Sequence, residues 1–329
     1  MTFPEIKYCP GTLAKGFETY SRACLKNVFA GKKVHHILPY DSPWSAGESE
    51  PVFEENRRHL SISGVQEKFA VLLEKNKLRL TRAGEQSAYI LKPAPKAGKK
   101  QDQIPANEHL TMQIARQVYK IETAANALIF FKNGAPAYIT KRFDVASDGV
   151  KIGQEDFASL AGRTPQTHGA NYKYLGNYLL LFELLEAYVP AYKVEAPKLL
   201  KVILFNYLFS NGDAHLKNFS LVETPMGDYR LSPAYDLLNT HIHVDDGDFA
   251  LEDGLLPRHL GHGKKRQQFA ILAEKAGIKE VVFKEILDLM CSKSSDVEKM
   301  IAASFLDNRT KRNYLQDYQR RLRRLMKGA

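Results

Sequence analysis

The residues best equipped for chemistry are Asn211-Gly212-Asp213-Ala214-His215-Leu216-Lys217-Asn218, with a further carboxylate at Asp236 in Pro233-Ala234-Tyr235-Asp236-Leu237. They follow an apolar run from Leu199 to Phe209 that reads as a buried helix. Charged side chains are costly to bury, so a loop that gathers Asp, His, Lys and Asn behind a core helix needs a reason. Phosphoryl transfer supplies one. An Asp can orient a hydroxyl nucleophile and accept its proton. An Asn five residues later can bind a divalent cation, and a second carboxylate can tie that cation to phosphates. Asp213, Asn218 and Asp236 have the types and order for these three roles. A polar turn punctuated by Asn211-Gly212 would give the same short pattern, so the rest of the chain has to decide.

The D-x-x-x-x-N spacing followed by a metal-binding Asp is the arrangement used by protein kinases. Such chemistry needs a second set of residues that holds the nucleotide. Upstream, Ser61-Ile62-Ser63-Gly64-Val65-Gln66-Glu67-Lys68 precedes an apolar strand, and its backbone N–H groups suit a phosphate loop, with Gly64 permitting close approach. The stretch has one glycine rather than G-x-G-x-x-G, and an ordinary turn reads the same way. No G-x-x-x-x-G-K-[ST] occurs, which disfavours a P-loop NTPase. Lys92 closes a strand, where a lysine would reach the α- and β-phosphates; Glu108 opens the following helix and would orient it. A surface lysine and an acid favoured near a helix N-terminus are the plain alternatives. Lys141-Arg142-Phe143-Asp144 would bind adenine through its backbone, with Phe143 stacking. Gln154, Glu155 and Asp156 begin a further helix and would support the catalytic loop, while His215 and Lys217 would meet phosphate or hold the loop.

The elements that must position these residues are legible along the chain. Residues 1–58 mix turns with one helical pattern, Glu18 to Phe29, and are expected to wrap over the next lobe. Residues 59–143 alternate as strands at 69–73, 77–81, 88–91, 127–131 and 137–140, with a helix over 107–119. Residues 144–329 read as helices at 175–188, 197–209, 267–276, 279–291, 295–305 and 309–326, with Pro197 in a first turn. The expected fold is α+β and protein-kinase-like, with two lobes: a small β-rich N-lobe and a larger all-helical C-lobe.

Composition fits a globular protein, with 44% apolar and 26% charged residues over 329 positions. Three cysteines indicate neither a disulfide framework nor a zinc cluster. No run approaches the ~20 apolar residues that span a bilayer, and the N-terminus lacks a signal-peptide pattern. A cytoplasmic protein is the economical expectation. The formal charge of +10 favours anionic partners. Much of it lies in Arg320, Arg321, Arg323, Arg324 and Lys327 of the last helix, which suits either a solvated basic face or a nucleic-acid site. The acidic loop Asp245-Asp246-Gly247-Asp248 lacks the EF-hand pattern and is not taken as a calcium site.

Taken together and in chain order from residue 59 to 240, Ser61 to Lys68, Leu91-Lys92-Pro93, Asn107-Glu108, Lys141 to Asp144, Gln154 to Asp156, Asn211 to Asn218 and Ala234 to Leu237 resemble the HipA family of bacterial serine/threonine kinase toxins. The resemblance implies ATP and Mg²⁺ as cofactors and autophosphorylation of the phosphate-loop serines, Ser61 or Ser63. It implies growth arrest through phosphorylation of a translation component, typically an aminoacyl-tRNA synthetase. It also implies a HipB-like helix-turn-helix antitoxin, through which alone the chain would meet DNA. Only some sixty residues precede the phosphate loop, so the chain is more similar to the short HipT type, whose small HipS partner supplies a missing N-terminal subdomain. A small-molecule kinase and a catalytically silent DNA-binding corepressor are the alternative readings.

Overall fold

A computed structural model describes residues 6–45, 53 and 66–327. The chain divides into two compact units. The first comprises Met1–Gln113, Ala124–Val150 and Lys299–Lys311; the second comprises Ile114–Thr123, Lys151–Glu298 and Arg312–Ala329.

The first unit is built on five antiparallel strands: β1 (Phe69–Glu74), β2 (Lys77–Leu80), β3 (Tyr89–Pro93), β4 (Asn126–Phe130) and β5 (Pro136–Lys141), in spatial order β2-β1-β3-β5-β4. The alternating and short apolar runs of the sequence form these strands because each can bury one face or both. Every residue of β4 is buried. Part of its cover is the N-terminal segment, which carries α1 (Arg22–Phe29), capped by Ser21 Oγ accepting from the Cys24 N–H. Cys9, Tyr20, Cys24, Val28 and Phe29 share one core with Phe69, Val71, Leu91, Ala127, Ile129 and Ile139. The segment is stitched to the sheet edge as well: the Leu128 N–H donates to Pro10 O at 2.8 Å and the Leu38 N–H to Phe130 O at 2.7 Å.

The helix α2 (Ile104–Gln117) begins three residues earlier than its periodicity indicates. It buries polar residues among its apolar ones, including Asn107, Glu108, His109, Thr111 and Gln113. Such residues need partners, and Gln113 Nε2 finds one in Asn126 Oδ1 at 2.9 Å.

The second unit contains α3 (Phe157–Leu160), α4 (Pro165–His168), α5 (Leu179–Tyr188), α6 (Tyr192–Leu208), α7 (Lys265–Lys275) and α8 (Glu280–Cys291), together with a three-stranded sheet. Its strands are β6 (Gln154–Asp156), β7 (Ser220–Glu223) and β8 (Tyr229–Leu231), in the order β6-β7-β8. The region is therefore not all-helical. Gln154 and Glu155 lie on a strand, and the helix they were expected to begin starts only at Phe157, with Asp156 as its N-cap. Strands of three or four residues carry too little periodicity to stand out, though the turn around Gly227, at φ 84°, is a hairpin signal. Pro197 also departs from expectation: α6 starts five residues before it, so the proline lies inside the helix.

The helices α9 (Ser294–Ala303) and α10 (Asn308–Met326) close the chain. In α10 the expected basic face is partly consumed. Arg321 is buried and paired with Asp248, Arg324 approaches the same carboxylate at 3.4 Å, and Arg320 holds Asp317 at 2.7 Å. No helix among the described residues is long and apolar enough to cross a membrane.

The core makes one position exacting. A Cβ placed on Gly11 would lie 2.0 Å from Cys24 Sγ, inside a fully packed region. We expect Gly11→Ala to cost about 1–3 kcal/mol, as overpacking does. Urea denaturation should show this loss, and Cys24→Ala in the same chain should recover part of it.

Candidate active site

The candidate site rests on the way β7 and β8 carry the loop residues. The segment Asn211–Asn218 leaves α6, passes through a short 3₁₀ turn at Leu216–Asn218 and enters β7 two residues after Asn218. Strand β8 then returns the chain to Asp236. Register is held by the pairs Leu221–Leu231 and Val222–Arg230, and Ser220 Oγ meets Ser232 Oγ at 3.0 Å. Asn218 Nδ2 consequently donates to Asp236 Oδ2 at 2.8 Å, across eighteen positions of sequence.

The loop is fixed from beneath by hydrogen bonds that sequence spacing does not reveal. Tyr178 donates its hydroxyl to Ala214 O at 2.7 Å and Tyr235 donates to Lys217 O at 2.9 Å. Asn211 is buried and donates to Asn206 Oδ1 at 2.8 Å. Gly212 donates its N–H to Thr240 Oγ1 at 2.8 Å, and Thr240 also holds Asp246. A Cβ on Gly212 would lie 2.4 Å from Asp246 Oδ2 and 2.9 Å from Gly247 O, so only glycine fits there. The acidic loop therefore serves structure: Asp246 binds Thr240, while Asp248 takes Arg321 and Lys265.

On this framework the functional groups differ in exposure. Asp213 is exposed, and Tyr174 donates its hydroxyl to Asp213 Oδ1 at 2.8 Å. His215 is buried, its ring edge-on to Tyr174 with centroids 5.1 Å apart. Burial pushes the His215 pKa down to about 4, helped by Lys173 and opposed by Asp213 and Asp236, so the imidazole is neutral near pH 7. Lys217 sits 3.2 Å from Asp156. Burial is the largest single influence and works against its charge, but the attraction and hydrogen bonding of Asp156 and Tyr172 together leave its pKa raised. Asp156 also caps α3 through Ser159 N–H at 2.9 Å, and Gln154 Nε2 donates to Ser220 Oγ at 3.1 Å. Structure thus brings Gln154, Asp156, Asp213, His215, Lys217, Asn218 and Asp236 into one network of the second unit.

Two observations bear on a metal. Asn218 Oδ1 is buried and has no hydrogen-bond partner among the described residues, an uncommon state for a buried acceptor. The neighbouring Asp236 carboxylate is half-buried and sits on a left-handed backbone, φ 59°. An amide oxygen beside a carboxylate suits a hard divalent cation that completes its shell with water and phosphate oxygens, as Mg²⁺ does. No cluster of three or more His, Cys, Asp or Glu that would form an all-protein metal cage occurs among the described residues.

The first unit holds the other charged pair. Lys92, on the central strand β3, donates to Glu108 Oε1 of α2 at 2.6 Å, and both side chains are almost wholly buried. The ammonium also lies 5.5 Å from the centre of the Tyr138 ring, on the neighbouring strand. Lys68 and Phe143 are half-buried, as is Lys141, which ends β5. Arg142 and Asp144 form an ion pair, and Arg142 reaches Ser87 Oγ at 3.0 Å. Ser61, Ser63, Gly64 and Val65 lie outside the described residues.

Comparison with known proteins agrees with this arrangement. Residues 60–298 match the HipA-like C-terminal domain. The chain belongs to that family. A Sinorhizobium fredii (strain NBRC 101917 / NGR234) protein named "Putative kinase Y4mE" is 32% identical over 197 residues, covering 56% of this chain. The chain matches less than half of that relative's length, 44%. Among solved structures, a chain of the Shewanella oneidensis MR-1 toxin–antitoxin complex of HipA, HipB and its operator DNA superposes with a TM-score of 0.63. That match has 19% identity and covers 88% of this chain and 73% of the other. The Helicobacter pylori proinflammatory kinase CtkA superposes with a TM-score of 0.52 at 13% identity, over 77% of this chain and 90% of its own. These likenesses show a HipA-like, kinase-like α+β fold.

The Lys92–Glu108 pair yields a stability test. Removing one partner of a buried ion pair leaves the other uncompensated and costs about 3–5 kcal/mol, whereas replacing both with apolar groups is often neutral. Glu108→Ala should therefore unfold at markedly lower urea concentration than the parent, and Lys92→Met/Glu108→Leu should regain most of the loss.

Proposed function

We propose that this chain is an ATP- and Mg²⁺-dependent serine/threonine protein kinase of the toxin type. The observation that carries the reading is the placement of Asp213, Asn218 and Asp236 on one loop-and-hairpin framework, with Asn218 and Asp236 in direct contact. Family membership and the name of the S. fredii relative support it. Asp213, exposed at the loop, takes the proton of the acceptor hydroxyl. Asn218 Oδ1 and the Asp236 carboxylate hold Mg²⁺, which when bound neutralises charge on the transferring phosphates. Lys92, oriented by Glu108, contacts nucleotide phosphate. Phe143 and the backbone near Lys141 accept the base, and Ser63, Gly64, Val65 and Lys68 cover the phosphates. Neutral His215 and charged Lys217 hold the loop, with Gln154 and Asp156 behind them.

The finer claims belong to the same proposal and rest on the sequence resemblance. The acceptor is a serine of a translation component, with an aminoacyl-tRNA synthetase as the first protein to assay. Ser61 and Ser63 are modified by the kinase itself. A HipB-like antitoxin, as in the S. oneidensis complex, and a HipS-like small protein of the HipT-type systems are the partners to seek by co-purification from the cytoplasm. A DNA-binding corepressor finds less support, because Arg320, Arg321 and Arg324 are engaged in ion pairs within the chain. A small-molecule kinase would use the same groups and is separated by its acceptor.

The assay is transfer from γ-labelled ATP, with Mg²⁺, to intact proteins. Asp213→Asn should retain the fold and lower transfer by about 10²–10⁴-fold, the usual contribution of a general base. Transfer near the parent rate would overturn the assignment. Asp236→Asn should weaken Mg²⁺-dependent ATP binding far more than it lowers the melting temperature without ligand. An unfolded apo protein with normal nucleotide affinity per folded molecule would instead make Asp236 structural. Phosphosite mapping after incubation with Mg²⁺ATP should find Ser61 or Ser63 modified in the parent and neither in Asp213→Asn.

A further inference from the structure

Asp213 is an exposed carboxylate on a loop, and an exposed side chain ordinarily samples several rotamers. A base that must meet one hydroxyl in one direction is poorly served by that freedom. The carboxylate is nevertheless held, by the Tyr174 hydroxyl donating to Oδ1 at 2.8 Å from 39 residues earlier in the chain. We infer that Tyr174 is the positioning residue of Asp213: its phenol fixes Oδ1 and leaves Oδ2 as the oxygen offered to the acceptor hydroxyl.

The surroundings of Tyr174 favour a fixture over a gate. Its N–H donates to Asn171 O at 2.9 Å, and its carbonyl accepts from the Glu252 N–H at 2.9 Å. The ring stands edge-on against buried His215, and the Lys173 ammonium lies 4.9 Å from its centre on the other contact. Moving the phenol off Asp213 would therefore disturb the ring contacts or the backbone ties as well. Burial and the hydrogen bond to Asp213 both raise the phenol pKa, so the group stays a donor throughout the working pH range. His215, for its part, contacts Tyr174 through its ring and helps hold it upright. The residues around the base thus divide the work: Asp213 accepts the proton, Tyr174 aims it and His215 braces Tyr174.

This inference rests on Asp213 being the base, and its test is built to tell the two apart. Tyr174→Phe keeps the ring and removes only the hydroxyl. With Mg²⁺ATP and casein as a generic acceptor, or water as acceptor in ATP hydrolysis, kcat should fall roughly ten- to a hundredfold, the scale of one hydrogen bond to a charged group. KM for ATP and the melting temperature should stay close to those of the parent. The deciding measurement is the double variant. In an Asp213→Asn background the phenol has no carboxylate left to aim, so Tyr174→Phe should cost nothing further, whereas a general structural role would cost the same in both backgrounds. A parent-like kcat for Tyr174→Phe, or an equal drop in both backgrounds, overturns the positioning role while leaving Asp213 as base. A parent-like rate for Asp213→Asn overturns both.

Discussion

The contact on which the site depends is the hydrogen bond from Asn218 to Asp236. It forms because the pairing of β7 with β8 brings the chain beyond Leu231, and with it Asp236, back beside Asn218. That pairing is fixed several times over. Leu221 and Val222 are buried on β7, Ser220 and Ser232 meet through their hydroxyls, and the Ser232 N–H donates to Ser220 O at 2.9 Å. Tyr235 then ties the residue before Asp236 back to Lys217, the residue before Asn218. Two short strands and one tyrosine hydroxyl thus set the separation of two groups that a shared cation would require to be close.

Around that contact, exposed Asp213 stands on a buried polar framework whose donors are used. Asn211, Tyr178 and Thr240 each bond the loop backbone or its neighbours in a region with little water to substitute for them. Gly212 lets the backbone come so close to Asp246 that no side chain would fit. This rigidity lets Asp213 be exposed without being disordered in function. In the first unit the logic is reversed: Lys92 and Glu108 are both buried, so each is kept in place by the cost of leaving the other alone. Charge is held by satisfied backbone in one unit and by mutual compensation in the other.

Much of this was legible in the sequence. The five strands of the first unit and the helices after residue 175 showed through periodicity, since each buries a face with the spacing of its own geometry. Asn218 and Asp236, singled out by type and order, do touch, and Lys92 pairs with Glu108 as their types and placement suggested. The three short strands of the second unit were not, because three or four residues cannot display a period. Tyr174 was also hidden. Its partner is 39 residues away, and a tyrosine between Lys173 and Leu175 carries no local mark of the carboxylate it meets. Arg321 was misleading for the opposite reason, since in sequence it belongs to a basic run, while in the fold it is buried against Asp248 and the Tyr207 ring at 5.0 Å. Sequence gives charge; only packing shows which charges are already paired.

The backbone of Asp236 carries the argument one step further. Its φ of 59° is in the left-handed region, where a residue with a Cβ costs roughly 1–2 kcal/mol relative to glycine. Glycine takes a positive φ at Gly227 and Gly254, while Leu13, Ala30, Lys75, Asn76, Lys100, Lys120 and Ser210 adopt one with a Cβ, as Asp236 does. Asp and Asn are the side-chain-bearing residues that bear this conformation most readily. The position therefore accepts strain that glycine would relieve, and it does so while presenting a half-buried carboxylate to Asn218. Glycine there would relax the backbone but remove the carboxylate oxygen that accepts from Asn218. The backbone cost is met by the hairpin register and by the Asn211 amide, which reaches Asp236 O at 3.4 Å.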